Sequence, residues 1–485
     1  MFLGLDLGTS GLKALLIDGD GSPVASATAP LTIRRPHPGW AEQDPDDWIA
    51  AATAALDELA RERDLSAVRG LGMSGQQHGA TLLGEDDRPL RPCMLWNDTR
   101  AHVEAAAMDA DPAFRRIAGN IVFPGFTAPK VEWVRRNEPA TFGAVRTILL
   151  PKDYLRLWLT GERVSDMSDA SGTGWLDVAA RAWSPDLLDR CHLTPGHMPR
   201  LVEGSEPGGV LRADLAARWG LGRVAVAGSA GDNAAAACGT GIVAPGSAMI
   251  SIGTSGTLFT ATDEHRAAPE TAVHAFCHAL PGTWHQMTVH LSATDALNWL
   301  AERLGEDAGT LATMASADVD ERAPLFLPYL GGERTPHNDS NVRAALVGLS
   351  HETDRAALAT AVMEGVAMAF RDGLDALKAA GTAPQRLIAV GGGSRSAAWL
   401  QLIADTLATP VDVAGSGELG AALGAARLGR MAATGEDAAT ACPPPAIART
   451  VLPRAESVDV QDTRHARFAA LYRAFAGGAD DVFQA

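Results

Sequence analysis

Leu5-Asp6-Leu7-Gly8-Thr9-Ser10-Gly11-Leu12-Lys13 is the stretch that decides the fold. Apolar residues fill positions 2–7 and 12–17 on either side of its turn of small residues, and a third apolar run covers 24–29 after Asp18-Gly19-Asp20-Gly21. Short apolar runs separated by glycine-bearing turns are typical of antiparallel strands. The N-terminus is therefore predicted to form a three-stranded meander.

The same tetrapeptide returns near the middle of the chain. Residues 248–252 are an apolar run, Gly253-Thr254-Ser255-Gly256 is a turn, and 257–261 is a second apolar run. Four small residues can recur by chance in a glycine-rich chain, but here the strand context recurs with them. The pattern indicates two copies of one supersecondary unit.

Helical and strand-like segments alternate over the rest of the chain, which predicts the α/β class. Pro443 to Pro445 mark a loop, and residues 461–475 are predicted to be a terminal helix. We place a domain boundary near Pro245, giving predicted domains at 1–244 and 245–485. The other predicted helices cover 45–63, 354–379 and 396–408, and the other predicted strands cover 68–73, 224–227 and 387–390.

Composition narrows the possible functions. The 485 residues have a formal charge of −17, which attracts neither nucleic acid nor an anionic membrane. Five scattered cysteines lack metal-like spacing, and the acidic, non-basic N-terminus does not resemble a signal peptide. The uncharged stretch 233–262 is rich in Gly, Ser and Thr, which favours turns and buried strands over a membrane span. We therefore expect a soluble cytoplasmic protein without nucleic-acid or membrane partners.

The two glycine turns are candidate phosphate-binding loops. Their backbone N–H groups and hydroxyls can hold a polyphosphate, and Lys13 can add positive charge near the first turn. One such turn alone is more often structural, whereas a pair, one in each predicted domain, indicates a nucleotide held between domains. The predicted ATP-binding residues here are Thr9, Ser10, Gly11, Lys13, Gly253, Thr254 and Ser255.

A third glycine cluster, Gly391-Gly392-Gly393, lies between a predicted strand and a predicted helix. Such a turn allows the backbone to approach a base or ribose closely, although a plain tight turn is the alternative. The sequence contains neither a dinucleotide-binding fingerprint nor a P-loop, so those sites do not explain the glycines.

Two aspartates are candidate catalytic residues. Asp6 is near the end of the first strand, where its carboxylate could bind Mg²⁺ directly or through water. Asp232 follows a predicted strand within Gly-Ser-Ala-Gly-Asp-Asn and could accept a proton from a substrate hydroxyl. The structural alternative is that both are turn-forming or helix-capping residues.

Polar side chains that suit a carbohydrate follow the predicted strand 68–73. Gln77 and His78 can hydrogen-bond to sugar hydroxyls, and Trp96 offers an aromatic face beside polar neighbours. A solvated loop and a half-buried tryptophan are the alternative interpretations.

These segments together resemble the FGGY carbohydrate kinases nearly from end to end, and within that family the members that phosphorylate D-xylulose. The first hairpin resembles the family's phosphate loop, and 125–137, GFTAPKVEWVRRN, resembles its first signature. The further matching segments are 40–45 (WAEQDP), 151–155 (PKDYL), 165–170 (SDMSDA), 331–336 (GGERTP), 344–364 and 420–427.

The resemblance implies an actin-like ATPase fold of two ribonuclease H-like domains, with the sugar bound beneath Mg-ATP in the cleft between them. It implies that Asp232 is the general base, that Asp6 lies near the metal, and that Gln77, His78 and Asn233 contact the sugar. The turns at 9–13 and 253–256 would hold phosphates, and Gly391 to Gly393 would hold adenosine.

Alternatives remain for both activity and assembly. Kinases for ribulose, glycerol or gluconate share the fold, a non-catalytic actin-like ATP-binding protein is conceivable, and an NAD-dependent enzyme lacks its fingerprint here. A homodimer is the assembly left open by the sequence.

Overall fold

The computed structural model describes residues 1–415 and 419–476. Its strands, in chain order, are β1 (Phe2–Leu7), β2 (Gly11–Ile17), β3 (Pro23–Pro30), β4 (Glu42–Gln43), β5 (Gly70–Gly75), β6 (Thr81–Leu83), β7 (Cys93–Met94), β8 (Thr147–Leu149), β9 (Val164–Asp166), β10 (Leu176–Asp177), β11 (Ala182–Trp183), β12 (Arg200–Val202), β13 (Pro207–Val210), β14 (Ala225–Ala227), β15 (Ala230–Gly231), β16 (Ala248–Ile252), β17 (Gly256–Thr262), β18 (His274–Cys277), β19 (Trp284–His290), β20 (Leu325–Leu327), β21 (Ala345–Val347), β22 (Leu387–Val390), β23 (Val411–Ala414) and β24 (Ile447–Val451).

The α-helices are α1 (Pro45–Glu62), α2 (His102–Asp109), α3 (Pro112–Ala118), α4 (Thr127–Asn137), α5 (Pro139–Ala144), α6 (Pro151–Thr160), α7 (Met167–Ser171), α8 (Pro185–Arg190), α9 (Ala213–Arg218), α10 (Asp232–Thr240), α11 (Thr294–Leu304), α12 (Ala308–Met314), α13 (Arg355–Ala379), α14 (Ala397–Leu407), α15 (Ala421–Thr434), α16 (Ala438–Ala441) and α17 (Ala455–Phe475). Short 3₁₀ turns lie at Pro195–His197, Pro269–Thr271 and Gly392–Arg395.

Two sheets carry the same five-strand order. In the first, β3, β2 and β1 run antiparallel and are followed by β5 and β14, which are parallel to β1. In the second, β19, β17 and β16 run antiparallel and are followed by the parallel strands β22 and β23. The turn between β1 and β2 therefore corresponds to the turn between β16 and β17. This repeat agrees with the duplication predicted from the recurring tetrapeptide.

The predicted strand at 68–73 lies two residues further along, at Gly70–Gly75. Val68 belongs to a turn, because its N–H donates to the carbonyl of Leu65 at 2.9 Å. The parallel pairing then starts with Phe2 opposite Gly70. The error arose because this strand uses glycine where the sequence pattern requires apolar side chains. The terminal helix likewise begins earlier than predicted, at Ala455.

Two helices cross between the sheets. Helix α15, from the second half of the chain, lies on the first sheet, where a Cβ on Gly72 would be only 1.9 Å from the Ala425 carbonyl oxygen. Helix α10, from the first half, packs its Ala237 with Met249, Phe259 and Met287 of the second sheet. Each half therefore covers part of the other.

The crossing point requires residues without side chains. A Cβ on Gly424 of α15 would be 1.7 Å from the carbonyl oxygen of Ala235 in α10, and a Cβ on Gly239 would be 2.2 Å from the Gly420 carbonyl oxygen. Such distances leave no room for a side chain at Gly424 or at Gly239. The two backbones are thus in direct contact. The predicted position of a single domain boundary, near residue 245, stays a prediction.

Gly424→Ala should destabilise the protein by about 1–3 kcal/mol or prevent folding, because the added methyl must push α10 away from α15. Urea unfolding followed by circular dichroism measures the effect. Gly222→Ala is the matched control, since a Cβ there meets no atom within 4 Å. Equal stability of the two variants would show that the helix crossing tolerates separation.

Candidate active site

A cavity of about 230 Å³ lies between the two halves of the chain. The first half supplies Gln77 and His78 just after β5, Asp232 and Asn233 at the start of α10, and Trp96. The second half supplies Ser255, from the turn before β17, together with side chains from β18 and β19. Six residues proposed from sequence for the sugar, the base and the phosphates are therefore neighbours around one cavity: Gln77, His78, Trp96, Asp232, Asn233 and Ser255.

His78 is held as a neutral ring at this cavity. Its Nδ1 lies 2.8 Å from the Gly172 carbonyl oxygen, which can only accept, so Nδ1 carries the proton and Nε2 is left as an acceptor. The ring stacks on Phe126 with centroids 4.7 Å apart. Burial, followed by the charge of Lys130, lowers the pKa of His78 to about 3. His78 therefore offers a hydrogen-bond acceptor throughout the neutral pH range.

The backbone of His78 is also fixed. Its φ of 68° is unusual for a residue with a side chain, and its carbonyl oxygen accepts hydrogen bonds from Thr127 Oγ1 at 3.1 Å and Lys130 Nζ at 2.9 Å. Lys130 also donates to the Gly125 carbonyl at 2.7 Å, and burial lowers the pKa of Lys130 to about 7. These bonds hold the strained conformation that directs the His78 ring towards Gly172.

Asp232 has the electrostatics of a general base. It is the first residue of α10, and its Oδ1 accepts hydrogen bonds from the Asn233 N–H at 2.8 Å and Asn233 Nδ2 at 2.9 Å. Burial, followed by the negative charge of Asp6, raises the pKa of Asp232 to about 7. A carboxyl group with such a pKa can both lose and accept a proton near neutral pH.

Asp6 lies in β1 of the first sheet. Ser74 Oγ in the neighbouring strand β5 donates to Asp6 Oδ1 at 2.5 Å, and Lys13 is its cross-strand partner in β2. Its charge acts on Asp232, so two carboxylates from different elements face the same region. Oxygen ligands of this kind fit a hard divalent cation.

Side chains around the smaller cavity hold the first hairpin turn. Trp96 Nε1 donates to Thr9 Oγ1 at 3.0 Å, and Thr9 Oγ1 donates to Gln76 Oε1 at 3.1 Å. Gln43 Nε2 donates to the Thr9 carbonyl at 2.7 Å. Trp96 therefore both lines the cavity and fixes the turn. Ser10, Gly11 and Lys13 continue this turn and β2 without lining the cavity.

A second, larger cavity of about 630 Å³ is lined by Gly392 and Gly393. Gly391 has a φ of +88°, and a Cβ on it would lie 2.7 Å from the Ile252 carbonyl oxygen, so this turn requires glycine. A Cβ on Gly392 meets no atom within 4 Å. The triple glycine thus leaves backbone exposed beside open space.

The second hairpin turn connects the two cavities. Ser255 lines the smaller one, while the Gly253 carbonyl accepts a hydrogen bond from the N–H of Thr294, which lines the larger one. The Thr254 carbonyl accepts from the Ala293 N–H at 2.8 Å. The second hairpin turn is therefore in contact with the walls of both cavities.

Sequence reasoning missed several residues of both cavities. Arg334, His274 and Phe276 line the smaller one, and Asn298, Ala312 and Arg395 line the larger one. Their segments carry no local signal, because strand pairing and loop position bring them there. Arg334 lies in the segment 331–336, which contributed to the family resemblance without an assigned role.

Comparisons with known proteins give the family. Residues 1–239 match the N-terminal domain, and 248–433 the C-terminal domain, of the FGGY family of carbohydrate kinases. The chain is 46% identical over 477 residues to the xylulose kinase of Escherichia coli K12, covering 98% of this chain and 99% of the relative. It is 48% identical over 435 residues to that of Klebsiella pneumoniae, covering 89% and 90%.

A solved structure, the xyloylose kinase of Brucella ovis, aligns with a TM-score of 0.96 and 57% identity, covering 98% of this chain and 99% of that one. The chain belongs to the FGGY family of carbohydrate kinases. Its fold is the two-domain α/β fold of the actin-like ATPases, and ATP is a substrate of this FGGY kinase. Among the described residues, none of the helices combines the length and apolarity needed to cross a membrane.

A fully buried charge cluster supports the smaller cavity of this FGGY kinase. Lys152 Nζ lies 2.5 Å from Asp153, 2.6 Å from Asp166 and 3.2 Å from Asp169, and all four side chains are inaccessible to solvent. Three clustered carboxylates could hold a metal ion, but here the ammonium group takes the central place. Burial raises the pKa of Asp169 well above its ordinary value, which favours a proton on that carboxyl.

The cluster reaches the site through Ser168. Asp166 Oδ1 accepts hydrogen bonds from the N–H and hydroxyl of Ser168, whose Oγ accepts from the N–H of Gly231, the residue before Asp232. The Ser168 carbonyl lies 3.5 Å from Gln77 Nε2. The position of Asp232 and Gln77 therefore depends on this internal salt bridge.

Lys152→Met should lower the free energy of unfolding by about 3–5 kcal/mol, because it leaves buried carboxylates without their cation. Lys378→Met is the control: Lys378 pairs with Asp375, and both side chains are 44% exposed, so its loss should cost less than about 1 kcal/mol. Chemical denaturation of both variants measures the difference. A Lys152→Met protein as stable as the control would mean that the carboxylates are neutral in the folded state.

Proposed function

We propose that this FGGY kinase transfers the γ-phosphoryl group of ATP to D-xylulose, giving D-xylulose 5-phosphate. The observation that carries the proposal is the single cavity in which Asp232, with a pKa near 7, meets Gln77, His78 and Asn233 beside the turn of Ser255. Relatives named as xylulose kinases, at 46% and 48% identity over most of the chain, support the choice of sugar.

In this proposal His78 and its neighbours bind and orient the sugar. The Nε2 acceptor of His78 takes a hydrogen bond from a sugar hydroxyl, and Gln77 and Asn233 offer amide donors and acceptors. Trp96 closes one side of the cavity while it holds Thr9. The apolar rings around His78 limit water at the reacting hydroxyl, which protects ATP from hydrolysis.

Asp232 removes the proton of the reacting hydroxyl as the phosphoryl group arrives. Its raised pKa matches the task, because a base is most effective when its pKa is close to the working pH. The two hydrogen bonds from Asn233 leave Oδ2 for the substrate. Asp232 is thus both oriented and able to accept a proton.

The nucleotide extends from the larger cavity to the smaller one. The exposed backbone of Gly391 to Gly393 takes the adenosine, and the turns containing Thr9 to Gly11 and Gly253 to Ser255 take the phosphates, aided by Lys13. Asp6 would hold Mg²⁺, directly or through water, and Mg²⁺ neutralises charge on the transferred phosphoryl group when bound.

Assembly and location remain predictions from the sequence. A cytoplasmic location is supported by the five cysteines, all of which are buried free thiols. A homodimer remains a prediction, and the domain division at 245 is supported by family matches that end at 239 and begin again at 248.

A coupled ADP-release assay over D-xylulose, D-ribulose, pentitols, glycerol and gluconate tests the substrate. D-Xylulose should give the highest kcat/KM of the panel. Preference for any other compound would replace the proposed substrate while leaving the kinase family intact.

Asp232→Asn should bind sugar and ATP but lose at least ~100-fold in kcat, since the amide cannot accept a proton. In the wild type, kcat/KM should fall about tenfold per pH unit below about pH 7, where Asp232 becomes protonated. The variant should lack this acid limb of the pH profile of kcat/KM. Asp263→Asn, on a side chain that is 69% exposed, is the control. Turnover of Asp232→Asn within a few-fold of wild type would assign the base elsewhere.

Gly392→Val should raise the KM for ATP about tenfold or more, because the added side chain points into the larger cavity, and should leave the KM for sugar unchanged. A tenfold effect corresponds to about 1.4 kcal/mol of lost binding. Gly222→Val places the same side chain where nothing lies within 4 Å and serves as control. An unchanged ATP dependence would place the adenosine outside this cavity.

A further inference from the structure

We propose that Arg334 and His274 recognise the hydroxyketone end of the sugar, its C1 hydroxyl and C2 carbonyl, and thereby make the enzyme select ketoses over polyols. Both residues come from the second half of the chain, whereas the sugar contacts proposed above come mainly from the first. The inference rests on the proposed function, since it concerns the other end of the same substrate.

Arg334 brings hydrogen-bond donors to the cavity that no protein group uses. Its guanidinium lies over the Phe123 ring at 4.4 Å and lines the cavity. Across residues 1–415 and 419–476, no hydrogen bond or ion pair engages this guanidinium. The neighbouring Glu333 is occupied elsewhere, because its Oε1 accepts from the N–H groups of Leu291 and Arg334. The Arg334 side chain is only partly buried, so its uncommitted donors remain accessible to a ligand in the cavity.

The backbone that carries Arg334 is firmly attached to the second sheet. The Thr335 N–H donates to the Val289 carbonyl at 3.0 Å, and the Val289 N–H donates back to Thr335 Oγ1 at 3.1 Å. Thr335 Oγ1 also donates to the Ala272 carbonyl at 3.0 Å. Val289 itself lines the cavity. Arg334 therefore lies in a segment between β20 and β21 that hydrogen bonds of the neighbouring Thr335 attach to strand β19.

His274 adds a second uncommitted polar group. It is only 3% exposed, and its Nδ1 is buried without a hydrogen-bond partner in the part of the chain that the structure describes. Its ring lies 5.3 Å from those of Phe123 and Phe276, so it belongs to the aromatic wall beside Arg334. Burial lowers the pKa of His274 well below its ordinary value, which leaves one donor and one acceptor on a neutral ring.

Groups of opposite charge, Asp232 and Arg334, line the cavity. Asp232 feels the charge of Asp6, whereas the charge of Arg334 acts on His78 and His274. No ion pair joins Arg334 to Asp232 among the described residues. In the proposed binding mode, the reacting hydroxyl of the sugar meets Asp232 and its other end meets Arg334 and His274, which line the same cavity. For phosphorylation at C5, that other end carries C1 and C2.

The chemistry of the ketone matches a donor-only partner. The C5 hydroxyl of a pentulose is free only in the open-chain form, which also exposes the C2 carbonyl. A carbonyl only accepts and a guanidinium only donates, so the pair is complementary. In xylitol and D-arabinitol, the products of reducing that carbonyl, the C2 hydroxyl can still accept from Arg334, but its proton needs a separate acceptor that a guanidinium does not offer. The donor-only guanidinium therefore favours the ketone over the alcohol.

The test is the ratio of kcat/KM for D-xylulose to that for xylitol and D-arabinitol, measured by ADP release. Arg334→Met should lower kcat/KM for D-xylulose by about 10- to 150-fold, the range for losing hydrogen bonds to a charged group. The pentitol values should change less than about threefold, so that the ratio collapses. Arg334→Lys keeps the charge but loses the planar, forked arrangement of donors. Its ratio of kcat/KM should therefore lie between those of the wild type and Arg334→Met.

Controls separate recognition from general damage. Arg303→Met, on a side chain that is 61% exposed, should leave the ratio unchanged. His274→Phe keeps the ring packing and should also reduce the ratio, which provides a second variant if Arg334→Met does not fold. In every folded variant, the KM for ATP and the acid limb near pH 7 should match those of the wild type.

Two results would overturn the inference. An unchanged ratio in folded Arg334→Met or His274→Phe, or an equal loss on ketose and pentitol, would make these residues structural while the proposed function stands. A wild-type enzyme that prefers a pentitol to D-xylulose would overturn the inference together with the proposed substrate. The wild-type panel therefore distinguishes the two failures.

Discussion

Direct backbone contact between helices α10 and α15 is the constraint on which the rest of the structure depends. Because a Cβ on Gly424 would lie 1.7 Å from the Ala235 carbonyl oxygen, the helices can cross only as bare backbones at this point. Each helix then covers the sheet of the other half. The first residue of α10 is Asp232, so the packing that joins the halves also places the candidate base beside both of them.

The position of Asp232 explains its electrostatics. A carboxylate at a helix N-terminus is normally stabilised in its charged form, and the hydrogen bonds from Asn233 act in the same direction. Burial and the charge of Asp6 outweigh both effects, since the pKa is raised to about 7. The fold therefore creates a proton acceptor by removing water and adding a second carboxylate. Lys152 differs from Asp232, which lies near a group of like charge. Its buried ammonium group is surrounded by three carboxyl groups, which stabilise the charged form.

Local sequence predicts those parts of the fold that local rules determine. The strands at 248–252 and 387–390 match their predicted bounds. The two glycine turns also lie at the two Gly-Thr-Ser-Gly tetrapeptides, as predicted. Gln77, His78 and Asp232, chosen as polar residues after strands, share one cavity with Asn233, which the family resemblance indicated. The packing of α10 and α15 onto the sheet of the opposite half could not be predicted. Glycines such as Gly72 allow another backbone to approach closely, but the sequence does not identify which backbone does so. Arg334 and His274 reach the cavity through the pairing of β18 with β19 and the attachment of Thr335 to Val289, which no local pattern reveals.

The acidity of the whole chain limits how ATP can be held. A protein with a formal charge of −17 does not attract a nucleotide polyphosphate through its overall field, so binding must come from groups in contact with it. The groups beside the two cavities include neutral ones, namely backbone at Gly391 to Gly393 and hydroxyls at Thr9 and Ser255, as well as the cations Arg334 and Arg395. The neutral groups can orient phosphates without neutralising them. In the proposed function Asp6 would act through Mg²⁺, because a carboxylate beside a phosphoryl group is repulsive unless a cation lies between the two. Such a cleft would favour ATP as its magnesium complex over the free anion.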